Sequence, residues 1–371
     1  MDSAPTLTDG TVTLRAHRDD DVPGVLEQGR DSLSQQWTTV PSPYDEADAR
    51  AFVRELMPRG WADGRAWGFA VERQGRYAGT VELRDEGEGR LEIAFGSHPW
   101  VRGTGAMERA LRLLLDWGFA DRGARVVVWR AHVGNWASRK LAWRLGFTVD
   151  GTIRAALAHR GELRDAWVGT LLAGEDRRPR GRWLDVPVLE RDGVRLRPWR
   201  DSDVPRIVEA CSDQRTQHWL GRMPDPYDEA AARAWLEDCR EAAATAHRVE
   251  WAVVDPADDV ALASVGAFNI TPEVELEIGY WVHPEARGLG LMTRAMSVVV
   301  EHAFDTIGVR RVMAGAAVDN AASRHVIEAN GLVAWGTERL GTTVRSGRVD
   351  CVFYDLLLEE WRRSHRMTTR S

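Results

Sequence analysis

Only three cysteines, Cys211, Cys239 and Cys351, occur among the 371 residues, all in the second half of the chain. They show neither CxxC spacing nor a pairing scheme, which argues against a disulfide scaffold and leaves ordinary reduced thiols as the expectation. No stretch reaches the roughly 18 consecutive apolar residues that span a bilayer. The opening MDSAPTLTDG is acidic and polar, where a secretory leader would be basic and then apolar. A soluble, cytoplasmic chain without a membrane partner is therefore expected. Positive charge is not in excess either: the formal net charge is -7, which speaks against non-specific polyanion binding and against a nucleic-acid partner. His, Cys and acidic residues repeat no ligand spacing, so no metal is expected.

What is present is a hydrophobic content of 44%, close to the globular average, in a chain about twice the commonest domain length. The chain also repeats itself. DGTVTLRAHRDDDVP, from Asp9 to Pro23, returns one residue shorter as DGVRLRPWRDSDVP, from Asp192 to Pro205. Pro43-Tyr44-Asp45-Glu46-Ala47 returns as Pro226-Tyr227-Asp228-Glu229-Ala230. Leu91 and Leu276, Asn135 and Asn320, and Asp165 and Asp350 all differ by 185 in number. A constant offset of that size is the period of a whole domain and not of a solenoid repeat. Domains are predicted at 1–173 and 191–360, joined by a Gly-, Pro- and charge-rich linker at 174–190 and followed by a polar tail at 361–371.

Both copies read alike. Strands are predicted at Thr11–Ala16, Trp67–Glu72, Tyr77–Leu83, Leu91–Phe95, Val126–Trp129 and Trp167–Leu171, with counterparts at Val194–Arg197, Trp251–Asp255, Ala261–Phe268, Leu276–Tyr280, Val312–Ala316 and Val352–Leu357. Acidic residues after the first strand are positioned to cap a helix entering at Val22 or Val204. Met107, Ala110, Leu111, Leu114, Leu115 and Phe119 recur at helical spacing, as do Met292, Ala295, Met296, Val299, Val300 and Phe304. Further helices at Ser138–Leu145 and Ser323–Asn330 are closed by Gly146 and Gly331. The fold class is mixed α/β: two tandem units, each a mostly antiparallel mixed sheet flanked by helices.

The glycine turns between strand and long helix carry the chemistry. HPWVRGTGAM and HPEARGLGLM lack both the GxGxxG spacing of dinucleotide sites and the GxxxxGK[ST] pattern of nucleoside triphosphate sites. A glycine-rich turn at a helix start nonetheless gathers unpaired N–H groups under the positive end of the helix dipole, which suits a phosphorylated ligand. Arg102 and Arg287 stand ready to add a charge-assisted contact or to point outward.

Each copy resembles the GCN5-related N-acetyltransferase superfamily, in particular its ribosomal-protein-alanine acetyltransferase-like branch. The resemblance rests on Arg102-Gly103-Thr104-Gly105-Ala106-Met107 and Arg287-Gly288-Leu289-Gly290-Leu291-Met292. It continues through Asn135 and Ser138 with Leu145-Gly146-Phe147, and through Asn320 and Ser323 with Asn330-Gly331-Leu332. Met107 and Met292 replace the usual Gly or Ala, a change expected to widen the packing of the turn. The resemblance implies a central strand that diverges from its neighbour and acetyl-CoA entering the gap. It also implies pyrophosphate on Gly103–Met107 and Gly288–Met292, pantetheine beside Asn135 and Asn320, and Ser138 and Ser323 near the thiol.

Acyl transfer needs a neutral amine, a polarised thioester and a proton for the leaving thiolate. Glu92 and Glu277 are the candidate bases, against a plain ion-paired role. Ser138 and Ser323 are candidate donors to the sulfur or, equally, helix N-caps. His98 and His283, each before proline, read as turn residues ahead of a base role. No cysteine matches between the copies, which favours direct attack over an acyl-enzyme. The 17 tryptophans read mainly as core, with Trp37 and Trp219 as candidates to border the acceptor pocket. The second copy, with Glu277, Tyr280 and Asp319-Asn320, lies closer to the branch pattern and is slightly favoured as the more active. The expected function is transfer of acetyl from acetyl-CoA to a primary amine of a small molecule or a peptide N-terminus. A CoA- or partner-binding pseudoenzyme and a longer-chain acyltransferase remain as alternatives, as do a monomer with pseudo-dimeric domains and a homodimer.

Overall fold

The computed structural model describes residues 4–368, so the first three residues of the polar start and 369–371 of the polar tail lie outside it. The chain divides into two compact units, Met1–Arg180 and Gly181–Ser371, each built on an eight-stranded sheet.

In the first unit the elements run β1 (Leu7–Thr8), β2 (Thr13–Arg15), α1 (Val22–Arg30), α2 (Ser32–Trp37), α3 (Glu46–Ala51), α4 (Met57–Asp63), β3 (Ala66–Arg73), β4 (Arg76–Gly87), β5 (Arg90–Ser97), α5 (Ala106–Asp121), β6 (Val126–His132), α6 (Trp136–Arg144), β7 (Thr148–His159) and β8 (Glu162–Leu172). The sheet order is β1-β2-β3-β4-β5-β6-β8-β7. Its pairs are antiparallel apart from β5 with β6.

The second unit repeats this plan with β9 (Leu189–Arg191), β10 (Val194–Pro198), α7 (Val204–Ser212), α8 (Gln214–Trp219), α9 (Glu229–Ala244), β11 (Arg248–Val254), β12 (Ala261–Thr271), β13 (Glu275–Val282), α10 (Leu291–His302), β14 (Arg311–Ala317), α11 (Ala321–Ala329), β15 (Val333–Val344), β16 (Gly347–Leu357) and α12 (Leu358–Thr368). Here β13 and β14 form the parallel pair. The mixed, mostly antiparallel sheet expected from the sequence is present twice.

The apolar stripes read from the sequence face the cores. Ala110, Leu111, Leu114 and Leu115 of α5, and Ala295, Met296 and Val299 of α10, are wholly buried. Phe304 lies just past α10, in a π-helical turn at Ala303–Ile307. Gly146 and Gly331 follow α6 and α11 at φ 86° and 80°, the left-handed closure that only glycine adopts freely. Aromatic rings fill the first core, where Trp117 meets Trp61, Trp67 and Phe69 edge-on or tilted.

Two expectations need correction. The acidic residues before α1 and α7 do not cap those helices, for Asp21 and Asp203 stand at the N-cap positions without a side-chain cap bond. Each carboxylate instead pairs in bidentate fashion with a strand arginine, Asp21 with Arg15 and Asp203 with Arg197. A guanidinium that lies in the sheet and is nearly buried needs a counter-charge more than the helix end needs a cap. The strands β7 and β15, the long partners of β8 and β16, are not foreseen by the sequence pattern, because most of their residues are exposed and no alternation marks them.

One carboxyl distinguishes the second sheet. Glu250 of β11 lies opposite Gly266 of β12, whereas in the first unit Gly68 of β3 lies opposite Glu82 of β4. The carboxylate has changed strands while keeping its place in the sheet. Burial lifts the Glu250 carboxyl to about 7, against the pull of the Ser264 hydroxyl, which donates to it at 2.6 Å. The folded state therefore holds this proton more tightly than the unfolded chain. The associated stability is fully present below the ordinary glutamate range and is lost as pH rises through about 7. Each tenfold gain in proton affinity is worth about 1.4 kcal/mol, which puts about 3 kcal/mol at stake. Glu250→Gln is expected to remove this slope and raise stability at pH 8, as read from urea midpoints of the two proteins at pH 5 and pH 8; equal midpoint changes with pH would refute it.

Candidate active site

The parallel pair opens where the glycine turn begins. Pairing of β5 with β6 stops at Ile93 and Trp129, and that of β13 with β14 at Glu277 and Met313. Beyond these residues β5 and β13 run on to Ser97 and Val282 without a partner on that side. The unpaired side of β5 and β13 matches the gap implied by the resemblance.

At the end of each diverging strand a histidine shapes the chain. His98 Nδ1 accepts from Trp100 N, and His283 Nδ1 accepts from Glu285 N, each capping a short 3-10 turn. Both imidazoles are buried, in keeping with the turn role. The glycines follow in left-handed conformation, Gly103 and Gly105 at φ 75° and 77°, Gly288 and Gly290 at 76° and 68°. Space is open at these positions: a Cβ on Gly103, Gly105 or Gly288 would touch nothing within 4 Å. Gly105 and Gly290 are the N-caps of α5 and α10, and neither helix has a side-chain cap.

Thr104 folds its hydroxyl onto Val101 O at 2.7 Å, whereas Leu289 is exposed. Ala106 and Leu291, the first helical residues, are buried. Met107 points into the core, where its Cε lies 3.0 Å from the position of a Cβ on Gly79. Met292 is likewise buried, so the larger residue is accommodated by the core and the turns keep their glycine geometry. In α5 the Ala106 N–H reaches the Thr104 hydroxyl at 3.4 Å; the absence of a side-chain N-cap, open space and the dipole of a long helix suit a diphosphate.

The preceding arginines are engaged elsewhere. Arg102 holds both oxygens of Asp31, the N-cap of α2, and Arg287 holds Asp213, the N-cap of α8, together with Thr216 Oγ1. These guanidinium groups tie each turn to the first helical pair of its own unit and hold Asp31 and Asp213 below the usual carboxylate range.

Across the gap, Asn135 Oδ1 accepts from Ser138 N and Asn320 Oδ1 from Ser323 N, both at 3.2 Å. The asparagines are thus the N-caps of α6 and α11, and the cap reading of Ser138 and Ser323 is corrected: both sit a turn inside, with their hydroxyls available for other contacts. Those contacts differ. Ser138 Oγ accepts from Trp129 Nε1 at 3.0 Å, whereas Ser323 Oγ lies 3.0 Å from the Tyr280 hydroxyl. Trp37 approaches Gly134, just before Asn135, while Trp219 packs against His218.

The two glutamates also differ. Glu92 lies between guanidinium groups, 3.0 Å from Arg130 Nη1 and 3.5 Å from Arg84 Nη1. Glu277 takes a hydrogen bond from Asn269 Nδ2 at 3.0 Å. Burial raises its carboxyl above the usual range, with the Asn269 bond opposing. Asn269, Arg84 and Arg130 escape sequence reasoning, as does the contact between Tyr280 and Ser323, two residues the sequence singles out separately, because the fold and not local spacing brings these groups together.

Burial pushes the Cys211 thiol up to about 12 and also raises Cys239 and Cys351. Thiols held protonated in this way are poor nucleophiles, which favours direct attack. Among the described residues no cluster of metal-ligating groups occurs, and no helix is long and apolar enough to cross a membrane.

The family model for the acetyltransferase (GNAT) domain matches the chain twice, over residues 11–148 and 194–333. The chain belongs to the GNAT acetyltransferase family. It is 30% identical to the "Putative ribosomal N-acetyltransferase YdaF" of Bacillus subtilis over 45% of this chain and 93% of that protein. A second Bacillus subtilis relative, "Probable N-acetyltransferase YjcK", is 25% identical over 41% of this chain and 87% of that protein. Among solved structures, Mycobacterium smegmatis RimJ in complex with CoA-disulfide is 21% identical with a TM-score of 0.44, covering 48% of this chain and 90% of that one. As a tandem GNAT protein the chain is an acyl-CoA-dependent N-acyltransferase. Its two glycine turns fall inside the two matched segments.

Proposed function

We propose that the protein transfers acetyl from acetyl-CoA directly to a primary amine, with the C-terminal unit carrying the reaction. The observation that carries this reading is Glu277, a carboxylate at the mouth of the strand gap with a raised proton affinity and a neutral hydrogen-bond donor as its partner. In the step proposed, the amine nitrogen bonds to the thioester carbonyl carbon and the C–S bond breaks. The amine proton passes to Glu277, directly or through water, and the departing thiolate takes a proton from the Tyr280–Ser323 hydroxyl pair. Gly288, Leu289, Gly290, Leu291 and Met292 hold the pyrophosphate, and Asn320 lies on the pantetheine side. Gly103, Thr104, Gly105, Ala106, Met107 and Asn135 do the same in the first unit. Direct transfer without an acyl-enzyme is supported by the protonated thiols.

A peptide N-terminus is the acceptor class favoured here, since the 30% relative is named for ribosomal N-acetylation. Thiol release from acetyl-CoA in the presence of an alanine-initiated peptide, spermidine or kanamycin tests the reading. Release with the peptide supports it, and release with none of the three overturns it. The same assay predicts a pH profile. Glu277 acts when deprotonated and its carboxyl is raised, so the acidic limb of kcat is expected above the ordinary glutamate range of about 4.3. A limb at or below that range would remove Glu277 from the role of base.

A further inference from the structure

We infer that acyl transfer is confined to the C-terminal unit, while the N-terminal unit holds an acyl-CoA without transferring its acyl group. The inference rests on the acetyl-CoA reading above. Its basis is that the two units keep the same glycine turn and lose register-matched parts of the chemistry in only one of them.

Consider what surrounds each glutamate. Across β4 and β5 the residue facing Glu92 is Arg84, and across β12 and β13 the residue facing Glu277 is Phe268. On the other side Arg130, paired with Val168 of β8, has Gly315, paired with Phe353 of β16, as its counterpart. Glu92 therefore sits in a cage of two guanidinium groups, and Arg130 is further fixed by Glu86 at 2.5 Å. Both carboxylate oxygens are thereby engaged, Oε1 by Arg130 and Oε2 by Arg84, which leaves neither turned to an incoming amine. Glu277 has neither arginine.

The leaving-group side is altered in the same unit. Tyr280 pairs with Val265, and the residue in that register of the first sheet, paired with Val81, is Phe95. No phenol is available there to protonate a thiolate. Ser138 is buried beneath Trp129, whose indole N–H its hydroxyl accepts, while the place of Trp129 in the second unit is taken by Ala314, opposite Tyr354 where Trp129 is opposite Gly169. Base, acid and hydroxyl environment have thus all changed in the first unit. The turn has not: Gly103 and Gly105 keep φ within about ten degrees of Gly288 and Gly290.

Glu277→Gln in the full-length protein decides the matter. If the second unit alone transfers, thiol release falls by about 10²–10⁴, the usual contribution of a general base, while calorimetry still finds two equivalents of acetyl-CoA bound. Were both units at work, release would stay near half, and that result overturns the inference. Binding of a single equivalent to the wild-type chain would overturn the holding role of the first unit. Tyr280→Phe, which imports the residue of the first unit, serves as the second variant: a fall of at least tenfold is expected, and retention of more than half the rate overturns the inference. An intact chain that releases no thiol with any of the three amines fails at the earlier step, the acetyl-transfer reading itself.

Discussion

Gly290→Trp is expected to abolish one of two acetyl-CoA binding events while leaving the second unit folded, and Gly105→Trp to abolish the other. Both glycines cap a helix in left-handed conformation, at φ 68° and 77°. A side chain there costs about 1–2 kcal/mol in backbone strain, within the margin of an ordinary domain. The surroundings add little: a Cβ on Gly105 meets nothing within 4 Å, and one on Gly290 meets only the flexible end of Arg294, at 3.4 Å. The indole instead occupies the open space at the helix start, where the proposed diphosphate site lies. A hydrogen bond to a charged group contributes about 1.5–3 kcal/mol, so losing two of them weakens affinity by about a hundredfold or more. Calorimetric titration of acetyl-CoA into each variant, with thermal unfolding as the check on folding, reads this directly. Two undiminished equivalents in both folded variants would move the cofactor away from these turns.

Much of this was legible in the sequence because it is local or periodic. The offset of 185 residues between the copies comes from duplication and needs no tertiary knowledge. The stripes of α5 and α10 follow from helical geometry, and Gly146 and Gly331 from the left-handed closure of a helix. What could not be read is what register decides. Nothing in the spacing of Arg84, Glu92 and Arg130 says that three adjacent strands bring them together, or that Phe268 and Gly315 stand in those places in the second sheet. A bulge in β12 beyond Phe268 removes even the constant offset as a guide there. Asn135 and Ser138 illustrate a subtler limit. Both are good N-cap residues three positions apart, and only the helix start at Trp136 gives the cap to the asparagine and leaves the serine hydroxyl to accept from Trp129. The exchange of a buried carboxylate between Glu82 and Glu250 is likewise invisible until the strands are paired.

Arg197→Met is expected to destabilise the second unit by about 3–5 kcal/mol, the range for removing one partner of a buried ion pair. Arg197 is 1% exposed, and all five of its N–H donors are matched by acceptors. Nη1 and Nη2 reach the two oxygens of Asp203 at 2.8 and 2.9 Å, and Nε reaches Asp259 at 2.9 Å. The remaining two donate to the carbonyls of Pro198 and Asp259, both at 3.0 Å. A methionine fills much of the volume, so the loss comes from stranding the Asp203 carboxylate, itself nearly buried, with the Arg200 N–H as its remaining partner. Loss of packing alone would leave nothing for a second change at Asp203 to recover. Adding Asp203→Asn to Arg197→Met discharges the stranded group and keeps an acceptor for Arg200, so the double variant is expected to recover more than half of the loss. Urea unfolding of the three proteins measures both numbers. A single variant within about 1 kcal/mol of wild type, below the range for a broken buried pair, or a double variant less stable than the single, would show that the buried pair does not hold the strand to the helix in the way its geometry implies.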